Sequence, residues 1–203
     1  MPLPPSTETV NDAIAALTGQ RWSIVDAQDH VPPLPGLYAI YGHEQAWRDL
    51  SLDPQSGRPL YIGKSEDSLV ARELNGHFAA NPAHAPRTGS STVRRSFAAL
   101  LRETLDLHAV PRNLVKPERF SNYALAGGGD ARLTAWMHAR LSIAVWAAPM
   151  QRTWALNDVE TLAIAAFTPP INISKNPGKL TRLSRARAAM AAEAARWRQE
   201  DAR

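Results

Sequence analysis

The sequence predicts an α/β protein of the α+β type: a small, mainly antiparallel central sheet flanked by helices. Three observations carry this expectation. The strand-like runs GLYAIYG (Gly36 to Gly42) and LYIG (Leu60 to Gly63) are joined by a polar loop without a helical pattern, so they can pair antiparallel. Further along, segments with apolar residues at helical spacing alternate with only a few more strand-like runs. The 203 residues, 44% hydrophobic and 21% charged, suit one globular domain with a core of its own.

Taken in order, Ser6 to Leu17 reads as a short helix with Thr9 or Asn11 as cap and Val10, Ile14 and Leu17 as its apolar stripe. VPPLPG (Val31 to Gly36) is a stiff turn leading into the first strand. HEQAWRDLSLDPQSGRP is expected as loop, with Pro54 and SGRP as turn signals. Ser65 to Leu74 reads as a helix with Ser65 as N-cap, stopped by Asn75-Gly76. NPAHAPRTGS is a loop. Ser90 to Leu105 carries Val93, Phe97, Leu100, Leu101 and Leu105 at helical spacing. FSNYAL reads as a strand, GGGD as a turn, RLTAWMHARL as a helix and SIAVWA (Ser142 to Ala147) as a strand. Leu156 to Phe167 is a helix stopped by Pro169-Pro170. The last segment, LTRLSRARAAMAAEAARWRQE, is a helix with Leu183, Met190 and Trp197 on one face.

Composition narrows the function classes. No cysteine is present, which excludes disulfides, thiolate metal sites and cysteine nucleophiles and fits a cytoplasmic protein. No run of about 18 apolar residues occurs, so no transmembrane helix is expected. The start, MPLPPSTETV, lacks the charge and apolar run of a signal peptide. The formal net charge of +4 lies wholly in residues 179–203, with seven Lys or Arg against three acids; the remainder balances. A basic tail can meet phosphates, though modestly basic surface helices are common.

Tyr38, Tyr61, Lys64, Arg72, His77, Glu160 and Asn172 are the polar outliers on or beside these elements. With Gly36-Leu37-Tyr38 and Tyr61-Ile62-Gly63 in order, then an arginine, a histidine, a glutamate and an asparagine, the chain resembles the GIY-YIG endonuclease superfamily over most of Leu34 to Lys175. The resemblance implies a GIY-YIG-like domain at 31–178, preceded by an N-terminal helical extension (1–30). An insert at about 79–141 and a basic C-terminal helix (179–203) complete the expected organisation. Two departures stand out. Arg72 and His77 are five apart where the family has four, which on a regular helix turns them apart by about 140°; a helix ending at Asn75-Gly76 would let His77 swing back. The insert is long compared with minimal members.

The resemblance implies a metal-dependent DNA endonuclease, with DNA favoured over RNA as substrate. Glu160 would be the single metal ligand, for Mg²⁺ or Mn²⁺. Tyr61 would be the general base, its phenolate favoured by a nearby cation for which Lys64 is a candidate. Arg72 would hold the scissile phosphate, Tyr38 the water or phosphate, His77 would relay a proton, and Asn172 would orient by hydrogen bonds. Arg94, Arg95, Lys175, Arg182 and Arg185 are expected nucleic-acid contacts, and a homodimer would suit cleavage of both strands. Each residue also has a plainer reading. The tyrosines could be ordinary strand aromatics, and Lys64 a solvated lysine. Arg72 could pair with Glu66, His77 could be a loop histidine, and Arg94-Arg95 a solvated helix face. Asn157-x-x-Glu160 could be a capping box. An inactive nucleic-acid-binding module and a structured-RNA nuclease are the rival functions.

Overall fold

The computed structural model describes residues 2–72, 76–79 and 88–197. The predicted helix end at Leu74 and Asn75, most of the loop through residues 81–87 and the tail from residue 198, with Arg198 and Arg203, lie outside the described residues. The helices are α1 (Thr7–Thr18), α2 (Glu44–Asp49), α3 (Leu69–Arg72), α4 (Thr92–Leu100), α5 (Gly129–Arg140), α6 (Leu156–Phe167) and α7 (Thr181–Arg196). The strands are β1 (Trp22–Ser23), β2 (Gly36–Gly42), β3 (Tyr61–Ser65), β4 (Ala109–Val110), β5 (Ala124–Leu125) and β6 (Leu141–Ala147).

The fold class follows the expectation. A four-stranded, wholly antiparallel sheet runs in the order β1-β6-β2-β3, and β4 and β5 form a separate two-stranded pair. β2 lies between β6 and β3 and is buried on both faces, which is why it reads as a near-continuous apolar run. Its alternation divides the core in two. Tyr38 and Ile40, with Ile143 of β6, face a layer built from the insert and the tail: Phe97, Leu101, Leu133, Met137, Leu183 and Met190. Leu37, Ala39 and Tyr41, with Ile62 of β3, face α1 and α6 through Leu17, Val159, Ala163 and Ile164. The segment expected as an insert is therefore one wall of the main core. The tail helix is docked on it through Leu183, Met190 and Ala194, all fully buried.

Several local expectations shift for identifiable reasons. Ser6 caps α1, its hydroxyl accepting from the Thr9 amide at 3.1 Å, so Thr9 lies within the first turn. The expected loop after β2 contains α2, with its Trp47 and the C-cap residue Leu50 buried in the core. Ser65 belongs to β3 and forms a turn with Ser68, accepting from the Ser68 amide at 3.1 Å and donating to its carbonyl at 2.7 Å. It is Ser68 that accepts from Ala71 at the start of α3. Ser91 caps α4, which ends at Leu100 rather than Leu105. FSNYAL divides into a 3₁₀ turn and the two-residue β5. β2 and α6 keep their predicted bounds.

The sharpest correction concerns Arg94 and Arg95. Both were expected to face nucleic acid; Arg94 is fully buried and Arg95 nearly so, because α4 is enclosed around its whole circumference between the sheet, α5 and α7. Arg94 donates to the His77 carbonyl (2.9 Å), to the Asp130 carbonyl (3.1 Å) and carboxylate (2.9 Å), and to Thr134 (3.1 Å). Arg95 donates to the Gly89 carbonyl at 2.7 Å and to Thr92 at 3.1 Å. These guanidiniums join segments of the chain. Replacing Arg94 by alanine strands Asp130 and two carbonyls, and is expected to lower the unfolding free energy by about 3–5 kcal/mol in urea titration; an unchanged midpoint would return Arg94 to a surface role.

Candidate active site

The site lies at the open edge of the sheet. β3 has β2 on one side only, so the layers covering the two sheet faces meet around its free edge. Register puts Tyr38 opposite Gly63 and Ile40 opposite Tyr61, so both tyrosines stand on the α4-facing side. Ile62 and Lys64 point to the opposite side, toward α6, which carries Glu160. Around that edge, Tyr38, Tyr61, Lys64, Arg72 and Glu160 line one cleft of about 520 Å³, closed at one end by the Ser65–Ser68 turn.

Two glycines make the arrangement possible by close approach. A Cβ at Gly63 would collide with the ring and hydroxyl of Tyr38, so only glycine lets that phenol lie across β3 toward the cleft. A Cβ at Gly36 would collide with the Trp146 carbonyl of β6 and press on Leu69 of α3. The Tyr38 ring is fully buried as the floor of the cleft, 6.1 Å from the half-buried Tyr61 ring and 6.2 Å from His77, centroid to centroid.

Asn172 occupies the place a further strand would take. Its side chain accepts from the Ile62 amide and donates to the Ile62 carbonyl, both at 2.8 Å, while the Ile171 amide donates to the Leu60 carbonyl at 2.9 Å. The edge backbone between Leu60 and Gly63 is thereby held, and with it Tyr61. Asn172 is itself buried and contributes to the cleft through Ile62, not by lining it.

His77 joins the site from beneath. Gly76 and His77 have π-helical geometry, and His77 lies near enough to Arg72 to feel its charge. The two cations flanking His77 leave their mark on it. Burial, with the positive charges of Arg72 and Arg94 beside it, pulls the imidazole down to about 3. The ring is neutral at physiological pH, with Nδ1 held by the Ser91 hydroxyl at 2.8 Å.

Glu160 projects from the second turn of α6, a tenth or so exposed. The capping-box alternative does not form: Ala155 is the N-cap, and Asn157 already lies inside the helix. The Glu160 carboxylate instead pairs with the Lys175 ammonium, which also donates to Asn157 Oδ1 at 2.6 Å. Lys175, expected as a free phosphate contact, is thus part of the site. Lys64 pairs with Glu66, whose carboxylate also lies 3.7 Å from Arg152. Arg182 and Arg185 are exposed on α7 and do not line the cleft, and Arg182 also donates to the Leu50 carbonyl. Ser91 and Ser68 are not singled out by sequence, and Asn157 and Ser65 read there only as helix caps, the usual role of an asparagine or serine at a helix start.

The donor set suits a hard divalent ion. Among the described residues no cluster of three acidic or histidine side chains exists, but such an ion keeps several waters and needs one or two protein oxygens. Glu160 already faces a positive charge, in the form of the Lys175 ammonium, at the rim of the cleft.

Two consequences can be measured. Gly63→Ala forces the Tyr38 ring off its seat and is expected to cost about 1–3 kcal/mol in urea unfolding. His77, buried neutral, makes stability fall with acidity. Its folded pKa lies below its unfolded value of 6.5, so between pH 6.5 and about 3 the unfolded chain takes up a proton that the folded chain does not. Between pH 6.5 and pH 5 the wild type should lose up to about 2 kcal/mol more than His77→Gln; equal losses would mean that the ring titrates normally.

Residues 40–191, more than half of the chain, match the family model described as GIY-YIG catalytic domain; the span holds Tyr61, Gly63, Arg72, His77, Glu160 and Asn172, and begins just after Tyr38. No curated protein and no solved structure matches at a comparable level. With the antiparallel sheet, both signature halves on neighbouring strands and the cleft at their edge, the chain belongs to the GIY-YIG endonuclease superfamily, a family of nucleases.

Proposed function

We propose that the protein is a metal-dependent DNA endonuclease that hydrolyses phosphodiester bonds at the β3 edge. One observation carries the reading: two phenols, a lysine, a guanidinium and a carboxylate, drawn from a span of more than a hundred residues, share one cleft. Such a set supplies what phosphodiester hydrolysis needs: a base for water, cations for the phosphorane and an anchor for a metal.

Tyr61 is assigned as general base. A phenol ordinarily titrates near 10 and is a poor base at neutral pH, so cations must favour its phenolate; Arg72 and Lys64 line the same cleft. Arg72, whose planar fork matches a phosphate, holds the scissile group against Tyr61. Tyr38, fully buried, lies beneath the cleft beside Tyr61 and supports it, in place of the direct contact with water or phosphate expected from the sequence. His77, neutral and held by Ser91, would relay a proton by releasing one from one ring nitrogen as the other takes one up, so no net charge builds beneath the cleft. Asn172 positions Tyr61 through the Ile62 backbone. Glu160 would hold Mg²⁺ or Mn²⁺, which when bound supplies Lewis-acid stabilisation of the phosphate and of the departing 3′ oxygen. The exposed arginines of α7, Arg182 and Arg185, give sequence-independent contact with the backbone. A homodimer would present two such clefts to the two strands of a duplex.

Nicking of supercoiled plasmid in Mn²⁺ tests the assignment, with labelled structured RNA offered in parallel. Tyr61→Phe and Glu160→Ala should each reduce cleavage by about 10²-fold or more while leaving the fold and DNA binding in place. Near-full cutting by Tyr61→Phe would remove it from the base role. Binding without cleavage across metals would favour an inactive binding module, and preferential RNA cleavage would change the substrate class.

A further inference from the structure

Asn157 and Glu160 stand one turn apart on the same face of α6, and their side-chain oxygens converge on one point. In this structure the Lys175 ammonium occupies that point, donating to both. A surface lysine rarely receives such preparation. Lys175 sits in the left-handed backbone region at φ 61°, uncommon for a non-glycine residue. Two buried amides brace the loop that puts it there. Asn172 is clamped to Ile62, and Asn176 donates to the Pro169 carbonyl at 2.7 Å and the Asn172 carbonyl at 3.1 Å.

We propose that Asn157 Oδ1 and Glu160 together form the divalent-cation position, and that Lys175 is its internal placeholder, neutralising Glu160 until the ion displaces it. The proposal rests on the reading in which Glu160 carries the metal and adds two residues to it. The chemistry is consistent. One anionic and one neutral oxygen suit Mg²⁺ or Mn²⁺ with water completing the shell. A largely buried carboxylate without a cation would be costly, so a resident ammonium stabilises the protein before metal arrives. Because an ammonium and a divalent ion cannot share the point, removing the lysine must raise metal affinity. Once displaced, the ammonium stands at the cleft rim, where it can meet a substrate phosphate.

The test is Mn²⁺ binding to the full chain, followed by calorimetry and by the electron-spin signal of free Mn²⁺. Lys175→Met should bind about tenfold more tightly than wild type, since a unit charge at contact distance is removed. Asn157→Ala should bind several-fold more weakly, and Glu160→Gln should lose binding. Unchanged or weaker binding by Lys175→Met, with Glu160→Gln still abolishing it, overturns the placeholder and leaves the nuclease reading intact. Unchanged binding by Asn157→Ala overturns its role as ligand. No binding by either wild type or Lys175→Met overturns the proposal together with the metal assignment. A measurement on the wild type avoids folding effects: labelling of Lys175 by an amine-reactive reagent, read by mass spectrometry, should rise several-fold on saturation with Mg²⁺. Labelling indifferent to Mg²⁺ overturns the proposal.

Discussion

The organisation of this protein depends on a strand edge that stays open. β3 is bound by β2 on one side, and on the other a side chain, Asn172, stands in for a strand at Ile62. A full additional strand would bury the backbone just as well, but it would also separate the two faces of the sheet. An asparagine amide satisfies one residue's amide and carbonyl and then stops. The edge beyond Ile62 is thereby left for the cleft, where groups from opposite faces meet. Gly63 completes the opening by omitting a side chain where the Tyr38 ring must cross.

Beneath the cleft, buried polar groups replace what would ordinarily be apolar packing. Ser91 serves two purposes, accepting from the Arg94 amide as the cap of α4 and engaging His77 through the same hydroxyl. Arg94 spans from the His77 carbonyl to Asp130, which in turn accepts from the Thr88 amide and hydroxyl. A buried charge of this kind is tolerated because its donors find partners. The network links α4, α5 and the segment after α3, so the position of His77 beside Tyr38 depends on the wall built by the insert. Residues 88–140 thereby support the placing of His77 beside Tyr38.

Charge in the cleft is balanced before any substrate arrives. Lys64 is paired with Glu66, and Glu160 with Lys175. Burial, together with the flanking cations, lowers the imidazole of His77 and keeps a further positive charge from forming there. Exposed pairs contribute little to stability, and Glu66 is half exposed. The Glu160 carboxylate is far more enclosed than that of Glu66, so its partner matters more to the folded protein.

What the sequence determined by itself was local or short-ranged. The glycine-bounded run of β2, the helical spacing of α6 with its proline stop, and the ordered series from Tyr38 to Asn172 were legible because each depends on near neighbours or on residue identity. The tertiary structure decided matters of partnership. Arg94-Arg95 has the pattern of a solvated face, and only the packing of the sheet, α5 and α7 around α4 reveals that both guanidiniums turn inward. Asn157 looks like a cap until the left-handed turn at Lys175 brings an ammonium to it from another segment. Ser65 is a credible helix cap by sequence, yet strand pairing with Gly36 claims its backbone and passes the cap to Ser68. In each case the deciding partner lies elsewhere in the chain or in a competing hydrogen bond, and no window of sequence contains the energy that chooses between them.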